Sequence, residues 1–163
     1  MQQVLMVDYE KCTGCRTCEQ VCAASHYGVV NPAKSCIRVV KWEQEGLYIP
    51  MICQQCEDAP CMKGCPVGAI SRDPETDHVK VDYNTCIGCR TCVTVCPFGA
   101  MNYNPDEKKV FKCDLCGGDP QCVRFCDIKA VYFPVPEDMS GSKKRKAAKR
   151  FKAAAKQAHA LQG

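Results

Sequence analysis

Seventeen cysteines in 163 residues, about one residue in ten, constrain this chain more than anything else in it. Such a density fits either a disulfide-stapled secreted scaffold or a protein built on metal clusters. Sixteen of the seventeen fall into four sets of four. The first is Cys12, Cys15, Cys18 and Cys22, and the second is Cys53, Cys56, Cys61 and Cys65, followed by Pro66. The third is Cys86, Cys89, Cys92 and Cys96, followed by Pro97, and the fourth is Cys113, Cys116, Cys122 and Cys126. The stretch from Met1 to Asp8 has no basic region, no long apolar run and no twin arginine. The disulfide reading therefore lacks its secretory signal, and a cytoplasmic location is expected. No run approaches the roughly 18 apolar residues of a membrane span.

The first and third sets have the spacing of the bacterial ferredoxin run, and the third carries its proline. The spacing makes sense as reach. Three thiolates on one tight loop cap three irons of a cubane, while Gly14 and Gly88 let the backbone pass close to inorganic sulfide. The fourth cysteine sits about a helical turn further on and serves the other cluster of a pair. Structural zinc would use two CxxC knuckles about 12–20 residues apart. Here the third cysteine of each set follows too closely for a single tetrahedral ion. Four 4Fe–4S clusters are the expected cofactors.

The chain also repeats itself. Val7 through Cys22 aligns without gaps on Val81 through Cys96, with 11 of 16 positions identical, including the shared Gly-Cys-Arg-Thr-Cys core. The second and fourth sets correspond through Cys53/Cys113, Cys56/Cys116, Cys61/Cys122, Cys65/Cys126 and Ala69/Ala130. Two ferredoxin-like modules is the economical account.

In its order of motifs, over about residues 4–136, the chain resembles the four-cluster iron–sulfur electron-transfer subunits of molybdenum, tungsten and some nickel enzymes. These are the dimethyl-sulfoxide-reductase-type beta subunits, the partners of formate dehydrogenase and hydrogenase, and the small subunits of tungsten aldehyde oxidoreductases. The resemblance implies that the outer motifs pair with each other and the inner motifs likewise. One cluster would then be held by Cys12, Cys15, Cys18 and Cys126, and its neighbour by Cys22, Cys113, Cys116 and Cys122. The inner pair would be held by Cys53, Cys56, Cys61 and Cys96, and by Cys86, Cys89, Cys92 and Cys65. Ala23 and Asp127 stand where the family pattern has proline, in the outer pair only.

Between the motifs the residues read as small elements. Ile37–Trp42 and Leu47–Ile52 form a hairpin around Glu43–Gly46. Ile70–Arg72 and Val79–Val81 flank one turn, and Met101–Tyr103 and Val110–Phe111 flank another. Short helices are expected to carry the last two cysteines of each set. The fold class is α+β: a βαββαβ ferredoxin plan, doubled and interleaved over residues 1–136, with a basic amphipathic helix over 137–163.

That tail sets the charge balance. Residues 139–163 hold eight basic side chains, from Lys143 to Lys156, and no acid, leaving fourteen basic against eighteen acidic residues in 1–138. An apolar stripe of Ala147, Ala148, Phe151, Ala154, Ala155, Ala158 and Leu161 recurs at helical spacing. We read it as a docking helix for a partner subunit. The alternatives are a head-to-tail contact with a second copy and a solvated extension. Nucleic acid is not expected, because the body carries the wrong sign, and no membrane partner is expected either.

No P-loop, dinucleotide fingerprint or nucleophile with its base is present, so no catalytic residue is expected. His26 reads as structural or solvated beside the first motif, and Cys36, outside every spacing pattern, reads as a buried free thiol. Four one-electron centres without substrate chemistry describe a wire. The expected role is an electron-transfer subunit, and not an enzyme in its own right. The resemblance favours a tungsten- or molybdenum-pterin catalytic partner of the aldehyde oxidoreductase type, with a flavin subunit or ferredoxin-like acceptor on the other side. A hydrogenase or carbon monoxide dehydrogenase partner and a free-standing polyferredoxin are the alternatives.

Overall fold

In the first and third motifs the residue after the last cysteine decides how the helix ends. A residue before proline is pushed out of the helical region, and α3 (Thr91–Val95) stops with Cys96 extended ahead of Pro97. Helix α2 (Pro60–Lys63) likewise ends before Cys65 and Pro66. In α1 (Thr17–Tyr27) Ala23 takes the place of that proline. The helix runs on for 11 residues and closes on Gly28 in the left-handed region, whose N–H donates to the Ala24 carbonyl. Helix α4 (Gln121–Arg124) is again short. The expectation that each helix carries two ligands therefore holds only for α1; the others carry Cys61, Cys92 and Cys122, with their last cysteine at or beyond the end.

The computed structural model describes residues 4–134, and the expected tail helix lies outside them. The strands are β1 (Met6–Val7), β2 (Arg38–Trp42), β3 (Leu47–Met51), β4 (Ile70–Arg72), β5 (Val79–Val81), β6 (Asn102–Asn104), β7 (Lys109–Phe111) and β8 (Val131–Tyr132). Along the chain, strands and helices thus follow the order βαββαβ twice.

Pairing interleaves the two halves. Hairpins β2–β3 and β6–β7 stay local, with Trp42 opposite Leu47 and Asn104 opposite Lys109. The other sheets join β1 to β8 and β4 to β5, each taking one strand from either half. The duplication survives in detail. Asp8 N–H donates to the Ala130 carbonyl at 2.7 Å, and Asp82 N–H donates to the Ala69 carbonyl at 2.7 Å. Asp8/Asp82 and Ala130/Ala69 are the positions matched in the internal repeat, so β1–β8 closes over one module as β4–β5 closes over the other.

Each module has a small core in which cysteines stand beside aliphatic residues. One gathers Leu5, Ile37, Val39, Ile52, Phe111, Leu115 and Val131 around Cys18, Cys22 and Cys122. The other gathers Ala59, Ile70, Val79, Met101 and Val110 around Cys92.

Candidate metal centres

The tight loops ahead of α1 and α3 are built alike. Gly14 and Arg16 take φ of 70° and 62°, and Gly88 and Arg90 take 69° and 66°. A Cβ on Gly88 would lie 2.3 Å from the Lys108 carbonyl oxygen, and one on Gly14 would lie 2.5 Å from the Tyr48 ring. A side chain at either position would have to displace the residue of the hairpin above it. Each loop delivers its exposed middle cysteine to the start of a helix, where a threonine hydroxyl lies 3.5 Å from the sulfur: Thr17 at Cys15 and Thr91 at Cys89. Hydrogen bonds from these threonines hold both thiols below their ordinary range.

The structure gathers the sixteen cysteines into four groups, here numbered sites I to IV. At site I the charges of Cys15 and Cys126 reach Cys12, and those of Cys15 and Cys12 reach Cys18. Site II is a recess lined by Cys22, Cys113, Cys116 and Cys122. Site III is lined by Cys53, Cys56, Cys61 and Cys96, and site IV by Cys65, Cys86, Cys89 and Cys92. Burial pushes up most of the enclosed thiols, Cys18 and Cys113 each to about 12. Four soft donors converging on one recess, with no carboxylate among them at sites III and IV, fit iron–sulfur ligation.

Neighbouring sites touch in sequence. The charge of Cys18 reaches Cys122, linking I to II; that of Cys53 reaches Cys113, linking II to III; and that of Cys61 reaches Cys92, linking III to IV. Each site therefore has the next as its neighbour in the order I, II, III, IV. Cys15 and Cys89 are the exposed members of the set, and they belong to the first and the last site in that order.

Donors converge on the cysteine that closes each loop. Ala69 N–H donates to Cys65 Sγ at 3.2 Å and Ala100 N–H to Cys96 Sγ at 3.3 Å, across Cys-Pro-x-Gly-Ala turns that hold Gly68 and Gly99 at positive φ. Cys126 lacks the proline, but Lys129 takes the left-handed position of the glycine with φ of 53° and bonds back to the Cys126 carbonyl. Cys22 lies inside a helix and receives its donor from elsewhere: Cys36 N–H reaches its Sγ at 3.3 Å. The Cys36 thiol also bonds the Cys22 sulfur, which is lowered to about 4, while Cys36 itself is pushed up. Cys36 is buried as expected, but it is a partner of a site residue, a role that its position outside the spacing patterns does not signal.

His26 stands on the rim of site II. Its Nδ1 lies 2.9 Å from the Cys22 carbonyl and its Nε2 lies 3.0 Å from Asp114 Oδ1. The Asp114 carboxylate, with the Cys22 side chain behind it, pushes this imidazole up to about 11. Donor atoms of His26, Asp114 and Cys116 lie within 4.8 Å of one another. The ion pair accounts for the first two, and Cys116 faces site II.

No helix among the described residues is long and apolar enough to cross a membrane. Residues 44–135 match the 4Fe–4S dicluster domain family, and residues 3–24 match a 4Fe–4S binding domain. The chain is 43% identical over 143 residues to the putative electron transport protein YsaA of Escherichia coli, covering 80% of this chain and 88% of that protein. It is 40% identical over 122 residues to the polyferredoxin-like subunit of an aliphatic sulfonate oxidoreductase from Pyrococcus furiosus, covering 75% and 70%. With the B subunit of the anaerobic dimethyl sulfoxide reductase of E. coli the identity is 35% over 157 residues, covering 83% and 75%. Loop geometry, cysteine grouping and sequence agree: the chain belongs to the 4Fe–4S dicluster family, as a non-catalytic iron–sulfur electron-transfer protein related to the subunits of multi-subunit oxidoreductases.

Proposed function

We propose that sites I to IV each hold one 4Fe–4S cluster on the four cysteines named above, and that the chain relays single electrons from each site to its neighbour between two partner proteins. The observation that carries this reading is the order of the sites, with Cys15 exposed at one end and Cys89 at the other. A bound cluster supplies a one-electron couple whose potential depends on burial, nearby charge and hydrogen bonds to sulfur. The chain's own residues set those quantities. N–H groups from Cys36, Ala69 and Ala100 stabilise negative charge on Cys22, Cys65 and Cys96, and the threonine contacts do so at the exposed ends.

For the partner at one end we favour a tungsten- or molybdenum-pterin catalytic subunit, of the aldehyde oxidoreductase type, and for the other a flavin subunit or ferredoxin-like carrier. Support comes from the compact four-motif arrangement and from relatives named as subunits of a dimethyl sulfoxide reductase and an aliphatic sulfonate oxidoreductase. The domain division follows the same reading, with residues 1–136 as the four-cluster body and the basic stretch 137–163 as the docking segment.

The test is a metal inventory of the complex isolated anoxically through a tag on this chain. Tungsten or molybdenum near one per chain is the expected result. Nickel in its place would move the partner to a hydrogenase or carbon monoxide dehydrogenase. Iron alone on an 18.0 kDa species would overturn the subunit reading in favour of a mobile carrier.

A further inference from the structure

Among the described residues one lysine is buried: Lys112, with 6% of its surface exposed. It lies between β7 and the fourth motif, and its Nζ donates to three neutral oxygens. These are the Val79 carbonyl at 2.5 Å, the Cys113 carbonyl at 2.9 Å and Gln55 Oε1 at 3.3 Å. No carboxylate among the described residues makes an ion pair with it. Gln55, itself buried, is held in turn by donating to the Cys113 carbonyl at 2.9 Å and accepting from Val79 N–H at 3.0 Å. The ammonium is thus fixed by main-chain groups of both modules.

A buried charge without a counter-charge is costly, so something anionic must compensate this one. Its surroundings say what. Lys112 lines the recess of site III beside Cys53, Cys56, Cys61 and Cys96. Its charge is felt by Cys56 and Cys61 of site III and by Cys113 of site II. Those two sites meet where Cys53 approaches Cys113.

We propose that Lys112 is a fixed cation shared by the clusters of sites II and III, holding both at higher reduction potentials than the same cages would have without it. The inference rests on the four-cluster reading above. Adding an electron makes a thiolate-bound cluster more negative, so a neighbouring ammonium favours its reduced form, and burial protects the attraction from salt screening. Lys112 thus stabilises the electron at the step where it crosses from one module to the other.

The test is an anoxic redox titration of the full chain followed by electron paramagnetic resonance, with iron measured on every sample. Wild type must show four one-electron transitions and about sixteen irons; fewer would overturn the four-cluster reading itself. Given four, Lys112→Met is expected to lower two transitions by about tenfold in their equilibria, 59 mV each for one-electron couples. The other two should stay in place, and Lys112→Arg should restore the wild-type pattern. If Lys112→Met loses iron, Lys112→Gln carries the test, because its amide can still donate to the surrounding oxygens while the charge is removed, and it lowers the same two transitions. An unshifted pattern in the iron-replete variant, or an equal shift of all four, overturns the proposal.

Discussion

The carboxylate of Glu19 accepts the backbone N–H of Val39 at 2.7 Å, joining α1, inside the first cysteine motif, to the middle of strand β2. Glu19 is wholly buried, and its other oxygen accepts from Arg16 at 2.6 Å. Arg16 occupies the left-handed position of the cysteine loop, so one side chain ties loop, helix and hairpin together. The repeat does not preserve this device. Position 93 is a valine, and Arg90 instead lies over the Tyr103 ring at 3.7 Å.

Arg16 keeps its guanidinium partly in solvent, so removing the Glu19 carboxylate chiefly leaves the Val39 N–H without an acceptor, at a cost of roughly 1–3 kcal/mol. Glu19→Ala should therefore bleach the visible absorbance at markedly lower denaturant than wild type. Arg90→Ala, which loses a more exposed cation–π contact of about 0.5–1 kcal/mol, should move the midpoint far less. The comparison is made by anoxic denaturant titration.

The two loop glycines should differ in their tolerance of alanine. Both substitutions place a side chain at positive φ, costing about 1–2 kcal/mol. At Gly14 the obstacle is the Tyr48 ring, which can turn aside; at Gly88 it is the Lys108 carbonyl, which belongs to the backbone of the β6–β7 turn. Gly88→Ala should lower iron content by about one cluster, whereas Gly14→Ala keeps its iron and melts a few degrees earlier. Iron and sulfide analysis with thermal melting distinguishes them.

Cys36 should behave as a donor and not as a ligand. In Cys36→Ala the backbone N–H to Cys22 remains and only the thiol contact is lost. The expected outcome is unchanged iron with one cluster transition at lower potential, since one fewer hydrogen bond stabilises charge on that sulfur. Cys122→Ala, by contrast, should lose iron outright.

Much of this arrangement is legible in the cysteine spacing. Ile70–Arg72 and Val79–Val81 fall on strands as expected, and the remaining hairpin strands shift by one residue or so. Less legible is the closure of β1 on β8. Two-residue strands so far apart in the chain show no periodicity, and only the match of Asp8 and Ala130 to Asp82 and Ala69 hints at their pairing. Lys112 and Gln55 escape a sequence reading for a different reason. A lysine beside a cysteine looks like any surface cation until the fold buries it, and Phe111 and Cys113 flanking it are the available signal.

Because proposed ligand cysteines stand in both small cores, binding energy should serve as folding energy. Stripping iron with a chelator under oxidising conditions should abolish cooperative unfolding monitored by circular dichroism, and anoxic reconstitution with iron and sulfide should restore it. A cluster-free chain that still melted cooperatively would show that aliphatic packing alone holds the fold.

The decisive measurement on the proposed relay of four clusters is iron and acid-labile sulfide per chain on anoxically purified protein, paired with spin quantitation after full reduction. About sixteen irons, as many sulfides and four interacting one-electron centres are expected. A plateau near eight irons with two centres, in protein shown to be fully loaded, would contradict a four-cluster wire.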